Sequence, residues 1–87
     1  MKIIVRKPLQ DEVEQMKKLP IWECEPKNFP WHYDEEETCL ILEGNAKVKA
    51  GGDEVEFGAG DLVIFPEGLS CEWSVSKKVK KHYKFGA

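Results

Sequence analysis

Residues 60–71 read Gly60-Asp61-Leu62-Val63-Ile64-Phe65-Pro66-Glu67-Gly68-Leu69-Ser70-Cys71. Four apolar residues, Leu62–Phe65, stand between a Gly-Asp turn and a Pro-Glu-Gly turn. Proline fixes φ and glycine admits positive φ, so the chain is free to bend at both ends of the run. A short apolar run bounded in this way reads as a strand covered on both faces. The same punctuation continues outward. Six of the seven glycines lie between Gly44 and Gly68. Turn signals recur at roughly ten-residue spacing, the rhythm of an all-β sandwich or barrel.

Upstream, Glu37–Glu43 carries Cys39, Leu40, Ile41 and Leu42 and ends at Gly44-Asn45. Ala46–Ala50 and Glu54–Phe57 alternate apolar and charged residues around a Gly51-Gly52-Asp53 hairpin turn. Downstream, Cys71–Val75 puts Cys71, Trp73 and Val75 on one face. Val79–Phe85 puts Val79, Lys81, Tyr83 and Phe85 on one face and Lys80, His82 and Lys84 on the other. Near the start, Lys2–Arg6 reads as a strand. Leu9–Leu19 reads as a helix, with Leu9, Val13, Met16 and Leu19 at helical spacing, acidic residues early and lysines late. Pro20 ends it. Ile21–Glu25 is a short strand between prolines, and residues 26–36 form an aromatic, acidic connection. Because 39–42 and 62–65 are apolar on both faces, something must cover their outer side. The N-terminal strand and helix can do so, and so can a second subunit.

The whole chain has 87 residues, enough for one domain. So short a chain buries only about 60% of its unfolded surface, and its thin core argues for a homodimer. Three cysteines at 24, 39 and 71 are odd in number and far apart, which argues against disulfides and for a reduced, cytoplasmic setting. There is no secretory apolar segment, and no run approaches the roughly 18 apolar residues of a membrane span. Thirteen basic against sixteen acidic residues, net −3, leave no basic footprint for nucleic acid. No glycine-rich phosphate loop, catalytic serine signature or zinc-finger spacing is present.

Two spacings now align. Gly60, five residues, Pro66, one residue, Gly68, two residues, Cys71 resembles the second cupin motif, with cysteine at the histidine position. Glu37, six residues, Gly44 is similar to the second half of the first cupin motif. The likeness spans about residues 31–75. More narrowly, the chain resembles the small single-domain cupins of the ethanolamine-utilisation and ureidoglycine-aminohydrolase type. Pro20-Ile21-Trp22-Glu23, Trp31-His32-Tyr33, Glu37-Thr38-Cys39, Leu42-Glu43-Gly44 and Lys81-His82-Tyr83 carry that likeness. The resemblance implies an all-β cupin jelly-roll, a double-stranded β-helix barrel, with one short N-terminal helix. It implies a pocket in one end of the barrel, where the family often holds a metal on three histidines and a glutamate. Here only Glu37 is retained. Cys71 replaces one histidine, and the other two positions fall on Trp31 and Tyr33, or on Pro30 and His32 if the gap is one residue longer. The cofactor expectation is one divalent metal (zinc, iron, manganese or copper) or none.

A carboxylate opening an apolar strand must be solvated, paired or liganded, so Glu37 is a candidate acid/base or metal ligand. Cys71 is a candidate ligand, thiol nucleophile or pocket wall. Tyr33 would orient a substrate, and Trp31 and Trp73 would line an apolar cavity. Trp22 is expected in the core. His32 is a ligand only with the longer gap, and strand parity opposes it. Lys81, on an inward face, would pair with Glu37, bind a ligand carboxylate, or snorkel to the mouth. The functional expectation is a stand-alone cupin binding a small polar metabolite, with enzyme chemistry on a nitrogen-containing compound as an extension. The alternative is a non-catalytic, metal-free ligand sensor or structural accessory. The expected partners are a small molecule and a second copy, without nucleic acid or membrane.

Overall fold

The structure is a computed structural model describing residues 2–86. Strand β1 (Ile4–Arg6) leads into helix α1 (Gln10–Met16), followed by β2 (Ile21–Cys24), β3 (Lys27–His32), β4 (Glu37–Ala50), β5 (Asp53–Gly58), β6 (Leu62–Phe65) and β7 (Ser70–Phe85). All pairings are antiparallel. The order β1-β6-β4-β7-β2 continues through β5 on β4 and β3 on β7. The expected jelly-roll is therefore present.

The two longest strands make the barrel. β4 pairs with β6 and the C-terminal part of β7 at one end, and with β5 and the N-terminal part of β7 at the other. The inward residues switch from Glu37, Cys39 and Ile41 to Ala46, Val48 and Ala50, a change of parity. Register shifts between Ile41 and Ala46 produce it, inserting residues that bend the strand. The sequence signs of this bend, Gly44-Asn45 and Ser76–Lys78, read as ends of strands. In the fold they are corners within continuous ones. Gly44 is the tightest: its φ is +96°, and a Cβ there would lie 2.1 Å from the Lys78 carbonyl oxygen of β7.

Residues 26–36, expected as a connection, contain β3, paired with β7 from Lys27↔Val75 to His32↔Ser70. Pro30 opposes Glu72 and breaks nothing, because β3 is an edge strand and its other side needs no donor. The helix is shorter than its apolar spacing suggested. Beyond Met16 the chain tightens into bonds from Lys18 N–H to the Gln15 carbonyl and from Leu19 N–H to the Met16 carbonyl. Glu12 locks the helix start. Its carboxylate accepts from the Leu9 N–H at 2.8 Å and from both terminal nitrogens of Arg6, at 2.8 and 2.7 Å. The Arg6 bond, helped by the Leu9 N–H, holds that carboxyl down to about 2.

Two clusters follow. Inside the barrel, Cys39, Ile41, Val48, Phe57, Val63, Phe65, Trp73 and Val79 are buried together. Outside, Met16 packs on Leu40 and Leu62, with Val13, Leu19, Leu42 and Ile64 around them. The helix and the turn after it thus cover the second apolar face of β4 and β6. His82, on the outer face of β7, is buried there too and donates from Nδ1 to the Leu19 carbonyl at 2.9 Å.

The corner at Gly44 generates a prediction. Gly51 also has positive φ, +59°, but has open space around its missing Cβ. Gly51→Ala should cost about 1–2 kcal/mol, the ordinary penalty of that conformation. Gly44→Ala should cost at least about 2 kcal/mol more, because the corner must also open. Urea unfolding of the two variants measures the difference.

Candidate functional site

One end of the barrel encloses a cavity of about 200 Å³ lined by Trp22, Phe29, Trp31, Tyr33, Glu37, Trp73, Lys81, Tyr83 and Phe85. All three tryptophans of the chain border it. Trp73 holds the walls together. Its ring stacks on Phe29 at 5.8 Å and meets Trp22 edge-on at 6.0 Å, and it touches Phe57 and Phe65 on the core side. Its indole N–H donates to the Tyr33 hydroxyl at 3.2 Å. Tyr33 in turn stacks on Phe65 at 4.8 Å. Burial, then the Glu37 charge, pushes the Tyr33 phenol up, so it remains protonated and can donate. Trp31 and Phe85 are 49% and 47% exposed, forming the rim.

The polar centre is an ion pair. Glu37 opens β4 and Lys81 lies inward on β7, each only 4% exposed. The Lys81 Nζ donates to both Glu37 carboxylate oxygens at 3.2 Å and to the Cys39 Sγ at 3.3 Å. The same ammonium lies 4.8 Å from the Trp22 ring centre and 5.0 Å from that of Trp73. Indole faces attract a desolvated cation, so the carboxylate and the two rings hold the ammonium from different sides. Of the sequence alternatives for Lys81, pairing with Glu37 is the one the fold adopts.

The residues considered for a metal do not assemble. His32 faces away from the cavity, hydrogen-bonded through Nδ1 to Ser70 Oγ at 2.7 Å, with its Nε2 3.7 Å from Asp34. Cys71 opposes Trp31 in the β3–β7 ladder and is half-buried against the core, outside the cavity lining. Burial, reinforced by the Glu37 charge, pushes its thiol up to about 11. Burial pushes the Cys39 thiol up to about 12. Both sulfurs are protonated at neutral pH, whereas metal ligation and nucleophilic attack use the thiolate. Among the described residues no three His, Cys, Asp or Glu side chains are grouped to hold a metal ion. The retained carboxylate, Glu37, already faces a cation. The residues present therefore do not fit a divalent metal.

Reading the sequence also missed wall residues. Trp22, assigned to the core, faces the cavity from β2, where it pairs directly with Lys81. Phe29 lay in the segment read as a connection. Once β3 is drawn as a strand, the alternation of 29, 31 and 33 is the signal.

The sequence profile of the EutQ-like cupin domain matches residues 12–83. The chain belongs to the EutQ-like cupin family. A DUF861-family protein from Thermotoga maritima superposes with a TM-score of 0.92 at 41% identity, covering 97% of this chain and 99% of that one. The Clostridium difficile EutQ protein superposes at 0.71 with 21% identity over 76% of this chain and 52% of its own, a likeness of fold alone. The Escherichia coli protein named acetate kinase EutQ is 34% identical over 55 residues, 63% of this chain. The chain spans about a quarter (24%) of the length of that relative.

Two predictions follow from the ion pair and its neighbours. Removing one partner leaves a buried charge unpaired, so Lys81→Met and Glu37→Leu should each cost about 3–5 kcal/mol. The double variant should cost clearly less than the sum, and less than Lys81→Met alone, in a double-mutant cycle by urea unfolding. The second concerns alkaline pH. A raised folded-state pKa means the native state keeps its proton longer than the unfolded chain. The stability contributed by the Cys39 thiol is therefore complete below pH 9 and lost as pH rises toward 12. The fall in melting temperature above pH 9 should be shallower in Cys39→Ala than in the parent.

Proposed function

We propose that this cupin is a metal-independent binding domain for a small polar metabolite, with the Glu37–Lys81 pair at the floor of the aromatic cavity as its recognition centre. One observation carries the reading: the cavity ends on a buried carboxylate and ammonium, its walls otherwise almost wholly aromatic. An apolar enclosure with few convergent polar groups is the ordinary form of a small-molecule site. At about 200 Å³ it lies below the range of drug-sized pockets, which supports a small ligand. Trp31 and Phe85 guard the entrance, Trp73 and Tyr33 form the inner wall, and the Tyr33 hydroxyl orients the ligand.

As an enzyme, the protein would use Glu37 as the proton-accepting group, with Lys81 offsetting charge on a substrate oxygen. Cys71 would sit beside the site as a protonated thiol rather than a nucleophile. The non-catalytic reading, a ligand sensor, draws support from the same thiols and from a centre whose charges already satisfy one another. The acetate kinase activity in the names of the EutQ relatives belongs to much longer proteins. The thin core and three unbridged cysteines favour a homodimer in a reducing cytoplasm.

The test uses the three indoles, since all of them line the cavity. A panel of small polar metabolites is screened by tryptophan fluorescence and by the indole N–H signals in ¹⁵N NMR. A binder should shift the Trp73 and Trp22 signals, and Lys81→Met should weaken it about tenfold or more, the worth of one buried charge-assisted bond. A protein whose indole signals stay fixed across the panel, or a binder indifferent to Lys81→Met, would overturn the reading.

A further inference from the structure

The cavity floor has a feature that narrows the ligand. Its two charged lining residues are Glu37 and Lys81, and they cancel. A ligand bearing one net charge would lose its hydration and then meet a partner already neutralised. That exchange rarely repays the desolvation. An uncharged ligand escapes the penalty.

The pair also retains hydrogen-bonding capacity. Both Nζ–carboxylate distances are 3.2 Å, longer than the 2.7–2.9 Å typical of charge-assisted bonds. Equal distances place the ammonium near the bisector of the carboxylate, where a single N–H can serve both oxygens. A second N–H points at Cys39 Sγ, 3.3 Å away. The third ammonium N–H has only the indole faces of Trp22 and Trp73 beside it, and the carboxylate can accept about four bonds in all. A donor with no oxygen partner and free acceptor sites thus lie side by side in the aromatic cavity.

We propose that the site takes a flat, net-neutral ligand presenting a carboxamide edge, its C=O accepting from Lys81 and its N–H donating to Glu37. An amide carries acceptor and donor on the two atoms bonded to one carbon, side by side as this pair demands, without bringing a charge. The planar body packs against the aromatic lining, which favours offset or edge contacts with other π systems. The inference rests on the pocket reading above, and it adds a substrate class: primary amides and cyclic amides, whose N–H lies on the same edge as the C=O, carried on a small planar body.

Three probes of nearly equal shape separate the possibilities: benzamide, benzoate and benzylammonium. Each is titrated into the parent protein and followed by the Trp22 and Trp73 indole signals. Benzamide should bind about tenfold or more tightly than either ion. The variants then shift the charge balance of the floor. Glu37→Gln leaves Lys81 uncompensated, and the preference should move to benzoate. Lys81→Gln leaves Glu37 uncompensated, and the preference should move to benzylammonium. Retained ¹⁵N NMR dispersion confirms that a variant is folded. If one variant fails to fold, the other and the parent ranking still decide. Tighter binding of benzoate or benzylammonium by the parent, or variants that leave the ranking unchanged, would overturn the amide proposal while leaving the pocket reading intact. Indole signals unmoved by all three probes would overturn the amide proposal, and the metabolite panel would then decide the pocket reading separately.

Discussion

The pairing of β4 with β7 is the constraint from which the rest follows. Together these strands hold 30 residues, and each bends to serve both walls of the barrel. Neither can bend without the extra residues between Ile41 and Ala46, nor approach the other at the corner without Gly44. Backbone hydrogen bonds of this ladder are non-local throughout, so the small chain commits most of its closure entropy to one long contact. What the contact returns is geometric. It holds Glu37, at the start of β4, and Lys81, four residues before the end of β7's pairing, on the same inner surface.

That surface explains why a lysine can be buried in so small a protein. Burying an ammonium costs several kcal/mol unless it is paired and hydrogen-bonded. Lys81 has a carboxylate, a sulfur and two indole faces around it. They arrive from three strands: Glu37 and Cys39 from β4, Trp22 from β2 and Trp73 from β7 itself. The cage exists only when all of them are in register. The charge is thus tied to the closure of the barrel, and a slipped register would expose it as an uncompensated cation.

Much of this was legible in the sequence, because turn chemistry and alternation act locally. The turns at Gly51-Gly52 and Pro66-Glu67-Gly68, the inward Lys81 and Trp73, and the short helix could be read from spacing, whereas Glu37 stood out by its place in the cupin-like motif. What could not be read depended on partners distant in sequence. Pro30 looks like a strand breaker until β3 is known to be an edge. Trp22 looks like core until its ladder partner is known to be Lys81. Gly44-Asn45 looks like a strand end because a bulge and a terminus carry the same residues. The motif position of Cys71 suggested a ligand, but motif spacing says nothing of the cation that Lys81 delivers to the same carboxylate.

The thin core has a last consequence. Trp73 contacts Phe57 and Phe65 on one side and Trp22 and Phe29 on the other. It is at once the centre of the hydrophobic cluster and a wall of the cavity. Tyr33 has the same double duty, stacked on Phe65 while its hydroxyl takes the Trp73 N–H. In a larger barrel a pocket can be carved from residues the core does not need. Here truncating a wall residue removes core packing too, at the cost of about 3–5 kcal/mol usual for a large aromatic. Loss of binding in such a variant therefore reports stability and recognition together. The polar pair is where the two can be separated, because a change between carboxylate and carboxamide at Glu37 alters charge while nearly preserving shape.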